Sequence, residues 1–253
     1  MARAVLLIAD IGGYTRFMKV HRINLAHAQH IVARLLEAVI DGAGRSLKLA
    51  KLEGDAAFFY ATVPDRGGGE EKVMQALAAI RHAFLRRRAD LAINRLCTCD
   101  GCVQAGELKL KFVAHAGEVA FQKVKRYTEL AGVDVILVHR LLKNSVPVAE
   151  YVLMSEELRA AVEKTLGAQA VSQDEELEGL GETRTYWVDL EKALPAEGVG
   201  VHASAWAKLK NWFSMTWRSL PYFLGLRKSC EGFQNMGAVL GLESPPPSST
   251  AGS

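Results

Sequence analysis

The sequence predicts an α+β fold, a ferredoxin-like βαββαβ sandwich with extensions, followed by a C-terminal amphipathic helical segment. Short apolar runs rich in strand formers, residues 6–9 and 56–60, each border a carboxylate and a glycine. Between and beyond them lie longer stretches whose apolar residues recur every three to four positions. Past Leu194-Pro195 the composition shifts to tryptophan interspersed with lysine and arginine.

Composition narrows the class. A chain of 253 residues buries a sizeable core, and one main domain with appendages fits that length. The 49% hydrophobic and 23% charged fractions are those of an ordinary globular protein. The 31 basic and 28 acidic residues nearly cancel to +3, which gives no electrostatic case for nucleic acid. No apolar run reaches membrane-spanning length, and the N-terminus lacks the pattern of a signal peptide. Three of the four cysteines are clustered, which is not a disulfide framework at this length. The expectation is a soluble cytoplasmic protein.

Leu6-Leu7-Ile8-Ala9-Asp10-Ile11-Gly12-Gly13 reads as a first strand ending on a carboxylate and a glycine pair. Residues 14–40 follow as two helices or one broken helix, with Phe17, Val20, Ile23, Leu25, Ala28, Ile31, Leu35, Leu36 and Val39 in a stripe. The interleaved His21, His27, His30 and Arg34 read as its solvated or capping face. Residues 47–63 read as a hairpin that turns at Glu53-Gly54-Asp55, and residues 64–70 as a loop. Residues 73–91 form a helix whose Arg86-Arg87-Arg88 fits the cation preference of a helix C-terminus better than an anion site. Residues 107–113 alternate as a strand, His115-Ala116-Gly117-Glu118 reads as a turn, and residues 119–125 as the second arm of another hairpin. Residues 133–144 read as a helix with a basic exit, and residues 151–154 as a short strand. Ser155-Glu156-Glu157-Leu158 resembles a capping-box start, and residues 183–188 read as a closing strand.

Asp10 and Asp55, at the edges of two apolar strands, are hard oxygen donors suited to a divalent metal; the plainer reading is two turn aspartates. Cys97-x-Cys99-x-x-Cys102 offers three thiolates to a Zn²⁺, with Cys230, His115 or a partner chain as fourth ligand; the alternative is three reduced thiols in a turn. Residues 202–228 carry Trp206, Trp212 and Trp217 among Lys208, Lys210, Arg218, Arg227 and Lys228. Such a helix docks on its own domain, on a protein partner or on a membrane surface, the first being the commonest arrangement. The expected division is 1–194 for the main domain, 195–243 for the aromatic extension and 244–253 for a disordered tail.

Taken in order, four stretches resemble the class III nucleotidyl cyclase catalytic domain over roughly residues 5–190. They are Ala9-Asp10-Ile11-Gly12-Gly13-Tyr14-Thr15, Lys51-Leu52-Glu53-Gly54-Asp55, His115-Ala116-Gly117-Glu118-Val119, and Gly132-Val133-Asp134-Val135 with Arg140. The resemblance implies that Asp10 and Asp55, assisted by the Ile11 carbonyl, hold two Mg²⁺ or Mn²⁺ ions. It implies that Lys51 and Glu129 read the purine, a lysine donor with a carboxylate acceptor favouring ATP over GTP. It places Arg140 against the charge developing on the transferring phosphoryl. It also implies a homodimer whose two sites are shared between subunits.

Two features depart from that family. Ile136 stands where the family has a ribose-orienting asparagine, a loss on the scale of one oriented donor, about 2–4 kcal/mol. The cysteine cluster is the second, and resembles a cysteine-bearing branch of cyclase-like domains. Three functions follow as expectations: a metal-dependent cyclase, a nucleotide-binding or regulatory module without turnover, or a scaffold or membrane-peripheral protein working through residues 202–228.

Overall fold

The computed structural model describes residues 1–20, 25–64, 69–94, 104–195 and 205–224. In chain order its elements are β1 (Ala2–Gly12), α1 (Tyr14–Val20), α2 (Leu25–Ala43), β2 (Lys48–Glu53), β3 (Ala56–Thr62) and α3 (Glu70–Ile93). A 3₁₀ turn (Ala105–Glu107) leads into β4 (Lys109–Val124), β5 (Tyr127–Ala131), α4 (Val133–Arg140), β6 (Tyr151–Ser155) and α5 (Glu156–Leu166). The chain continues through β7 (Val171–Leu177), β8 (Gly181–Asp189), α6 (Leu190–Ala193) and α7 (Ala205–Phe223). The strand order is β2-β3-β1-β4-β6-β8-β7, with β5 paired to the far half of β4. Only β4 and β6 run parallel among these pairs. This is the predicted α+β sandwich with extensions.

The interior strand β1 is apolar from Ala4 to Ala9 because both of its faces are covered there. Val5, Leu7, Ala9 and Ile11 join the core made with α1, α2, α3 and α5. Ala4, Leu6 and Ile8 join a second core with Val138 and Leu141 at and just after α4. Asp10 continues the second set, one step beyond the end of its apolar part. The α2–α3 contact is close enough that a Cβ on Gly42 would lie 2.7 Å from the Ile80 Cα.

Several expectations are corrected. The turn at His115-Ala116-Gly117-Glu118 does not exist: β4 runs unbroken through it, and residues 109–119 pair with the whole of β1. Gly117 serves close approach instead, since a Cβ there would sit 2.2 Å from Asp134 Oδ2. The hairpin turn falls at Lys125-Arg126, leading into β5, with Lys125 at φ +55°. The helix after Gly132 ends at Arg140, short of Asn144, which instead turns back to bond the Leu141 carbonyl at 2.7 Å. Ser155 precedes α5, but its hydroxyl makes no cap bond and lies 2.7 Å from His115 Nδ1.

His30 is buried, not solvated, because α2 is covered over more of its circumference than the apolar stripe alone suggests. Arg88 is likewise not merely a solvated end of α3. It donates to the Leu108 carbonyl at 2.7 Å and reaches Glu150 at 3.4 Å. Glu150 is almost wholly buried and receives Arg81 at 2.8 Å, with Lys109 at 3.9 Å. Arg81 also donates to the Leu194 carbonyl, which ties the end of the main domain to α3. The helix predicted within 202–228 is α7, whose near neighbour is α2. Its Trp206, Trp212 and Trp217 side chains are exposed, so this face is not buried in the body.

Candidate functional site

The two carboxylates singled out in the sequence meet where the neighbouring strands β1 and β3 end and begin. Asp10 pairs across β1 with Ala56 on one side and Lys111 on the other. Asp55 occupies the turn between β2 and β3, and its carbonyl accepts a hydrogen bond from the Ile11 N–H at 3.2 Å. That backbone bond holds the turn against the end of β1. Burial and then the charge of Asp10 push the Asp55 carboxyl up from 3.8 to about 6.

Lys111, which the sequence reading did not single out, belongs to the same group. Its Nζ lies 3.0 Å from Asp10 Oδ2. Burial opposes its charge, but Asp10 more than offsets this and holds its pKa above the ordinary value. Tyr14 and Tyr151 border the carboxylates, and burial first, then the Asp55 or Asp10 charge, keeps their hydroxyls protonated. Tyr151 donates to Asn144 Oδ1 at 3.0 Å. The signal for Lys111 was present as a polar position in the alternating strand 107–113, but pairing it with Asp10 requires the β1–β4 register. A cleft of about 330 Å³ opens beside Gly13, lined also by Arg16, Phe17, Gln104, Glu107 and Leu108.

The remaining expected residues sit elsewhere. Lys51 on β2 makes an ion pair with Glu53 at 2.7 Å. Glu53 also contacts His139 of α4 at 3.2 Å. Burial would raise the Glu53 carboxyl, but these partners hold it below its ordinary value. Glu129 lies on the exposed strand β5, opposite Gln122, and is not brought into contact with Lys51. Arg140, at the end of α4, is held by Glu178 at 2.5 Å. Ile136 projects from α4 about half exposed. Thus Asp10, Ile11 and Asp55 are gathered, while Lys51, Glu129 and Arg140 occupy other elements.

Cys97, Cys99, Cys102 and Cys230 lie outside the described residues. His115, offered as a fourth zinc ligand, is buried with Nδ1 2.7 Å from Ser155 Oγ and Nε2 3.1 Å from Asp134 Oδ1. Nδ1 is engaged by Ser155, while Nε2 faces Asp134 without a well-aligned hydrogen bond.

Among the described residues no cluster of three or more His, Cys, Asp or Glu side chains forms a complete metal cage. Two converging carboxylates, one of them strained by the other's charge, still fit Mg²⁺ or Mn²⁺. Such ions are commonly held by one or two carboxylates with water and substrate phosphates completing the shell.

The architecture is that of adenylyl and guanylyl cyclase domains. The adenylyl cyclase CyaB from P. aeruginosa matches with a TM-score of 0.54 at 16% identity, over 74% of this chain and 94% of that one. Adenylate cyclases from Trypanosoma brucei match with a TM-score of 0.54 at 15% identity, over 80% and 94%. The guanylyl cyclase Cya2 gives 0.52 at 12% identity, over 74% and 94%. At these identities the likeness is one of fold.

Sequence gives the family. The chain is 44% identical over 211 residues to the uncharacterized protein Rv2561/Rv2562 of Mycobacterium tuberculosis (strain ATCC 25618 / H37Rv), covering 81% of this chain and 95% of that protein. It belongs to that protein's family. Residues 32–151 also match the family model described as protein of unknown function (DUF2652).

Proposed function

We propose that this chain is a metal-dependent nucleotidyl cyclase, converting a nucleoside triphosphate, ATP by preference, into its 3′,5′-cyclic nucleotide and pyrophosphate. The observation that carries the reading is the convergence of Asp10, Ile11 and Asp55 at adjoining strand ends of a cyclase-type sheet. In the reaction the ribose 3′-oxygen bonds to the α-phosphorus and the α–β bridging P–O bond breaks. Pyrophosphate leaves with the bonding pair, and the hydroxyl proton passes to solvent.

Mg²⁺ or Mn²⁺ held by Asp10, Asp55 and the Ile11 carbonyl would supply Lewis acidity at the phosphates and activation of the 3′-hydroxyl. Lys111 fixes the Asp10 carboxylate and limits the negative charge presented to the triphosphate. Arg140 is free to turn to a phosphoryl group, because an exposed pair such as Arg140–Glu178 holds it by only about 0–1 kcal/mol. Lys51 and Glu129 would read the base. Their separation from the carboxylate pair, like that of Arg140, accords with a homodimer in which each pocket draws on two copies. Phe121, Tyr127, Val133 and Ile136 are exposed apolar residues on the β4–β5 arm and α4, and suit such an interface.

Ile136 favours a second reading, a cyclase-fold module that binds nucleotide without turnover. Its side chain offers no hydrogen bond to a ribose. One experiment separates the two: incubation with Mn²⁺ and each nucleoside triphosphate, followed by mass spectrometry for cyclic product and by thermal melts. Cyclic product supports the enzyme. Stabilisation by nucleotide without product selects the binding module. Neither effect, from folded dimeric protein, overturns both.

A further inference from the structure

The helix α7 carries a feature that the cyclase reading leaves unused. Trp206, Leu209, Phe213, Trp217, Leu220 and Leu224 recur at steps of three and four, so they share one side of α7 and its last turn. Their exposures run from 42% to 76%, which makes this a continuous apolar stripe facing water. Phe213 and Trp217 stack within it, ring centroids 6.2 Å apart. At 19 residues the helix is about 28 Å long, so the stripe runs most of the breadth of a small domain. An exposed apolar surface of this kind, rimmed by polar residues, marks an interaction site.

Charge identifies the occupant. Residues 198–230 contain no Asp or Glu, while Lys208, Lys210, Arg218, Arg227 and Lys228 all fall within them. Lys210 lies next to Trp206, Phe213 and Trp217 on the helical wheel, with its side chain exposed. Pairing two copies of α7 through the stripe would place Lys210 of each at the seam with no carboxylate on either helix to offset it. An acidic surface is therefore the complementary one. Tryptophan seats at the boundary between hydrocarbon and headgroups, and lysine and arginine meet anionic headgroups at the same depth. Among the described residues no helix is long and apolar enough to cross a membrane, so α7 would lie in the interface instead.

We infer that α7 docks the protein on an anionic lipid surface, through the Trp206–Phe213–Trp217 stripe bordered by Lys210. This does not depend on catalysis, and it survives if the cyclase reading fails.

The test is flotation of the full chain with vesicles of phosphatidylcholine alone, and with vesicles holding about 30% phosphatidylglycerol. Binding to the anionic vesicles with a blue shift of tryptophan emission is expected, falling at least about fivefold on zwitterionic vesicles. Trp206→Ser with Trp217→Ser should abolish it, with far-UV circular dichroism unchanged. Lys210→Glu, which leaves the aromatics intact, should weaken it by more than about fivefold and make the residual binding less sensitive to salt. Failure to bind either vesicle overturns the inference, as does equal binding to both or full retention in both variants. A sedimentation-velocity dimer that the tryptophan substitutions dissociate, with no vesicle binding, would assign the stripe to a second copy and equally overturn it.

Discussion

Replacing Asp55 with Asn should stabilise the metal-free protein at neutral pH. Burial and then the negative charge of Asp10 oppose the Asp55 anion, so the carboxyl ionises near 6 in place of 3.8. Between those values the folded protein holds a proton that the unfolded chain has released. Native stability therefore falls as pH rises from about 4 to about 6, and the deficit is complete above that range. The displacement of about two pH units corresponds to about 3 kcal/mol at 1.36 kcal/mol per unit. Partial contact with water lowers the expected figure to about 1–2 kcal/mol. Asn keeps the shape of the side chain and cannot ionise. Urea denaturation in the presence of a chelator should show Asp55→Asn more stable than the parent by about 1–2 kcal/mol at about pH 7.5, and nearly equal to it at about pH 3.5. Equal stability at neutral pH, or a gain of the same size in acid, would refute the electrostatic account.

Other consequences are as direct. Mn²⁺ and a non-cyclisable ATP analogue should each raise the affinity for the other by at least about fivefold in titration calorimetry, and Asp55→Asn should abolish the coupling. Arg81→Ala removes the nearest cation from the buried Glu150, leaving Arg88 at 3.4 Å and Lys109 at 3.9 Å. A loss of about 3 kcal/mol in chemical denaturation is expected, partly restored by adding Glu150→Gln. Gly117→Ala drives a Cβ into Asp134 and should cost about 1–3 kcal/mol by the same measurement. Gly106→Ala, with open space around it, should stay within about 0.5 kcal/mol of the parent.

Much of the fold was legible because its signals are local. The apolar run of β1, the hairpin turning at Asp55 and the periodicities of α2 and α3 each sit within one stretch of chain. The misreadings share a different cause. Gly117 looks like a turn glycine in sequence, yet it is required by a side chain seventeen residues away that approaches β4 from α4. Ser155 has the sequence of a helix cap, yet its hydroxyl faces His115, forty residues earlier. The edge strand β7 carries five polar residues in succession, Ser172 to Glu176, and borrows its extended form from β8. Arg81 reads as one more helix cation until Glu150 is folded beneath it. In the candidate site Asp10 and Asp55 were legible at strand ends, whereas Lys111 depends wholly on register.

Lys111 also explains why the two aspartates are unequal. Its ammonium sits on Asp10, whereas at Asp55, where it acts from farther off, burial and the Asp10 charge prevail. Two carboxylates and one ammonium leave a single negative charge at the strand ends. That is too little, with no third acidic or imidazole ligand in a cluster among the described residues, to strip a hard cation of most of its water. On the proposed reading the missing oxygens come from the triphosphate itself. Metal and nucleotide then complete one another's shells, and the carboxylate pair answers to the complex more than to either component. A site of this kind stays poorly loaded until substrate arrives.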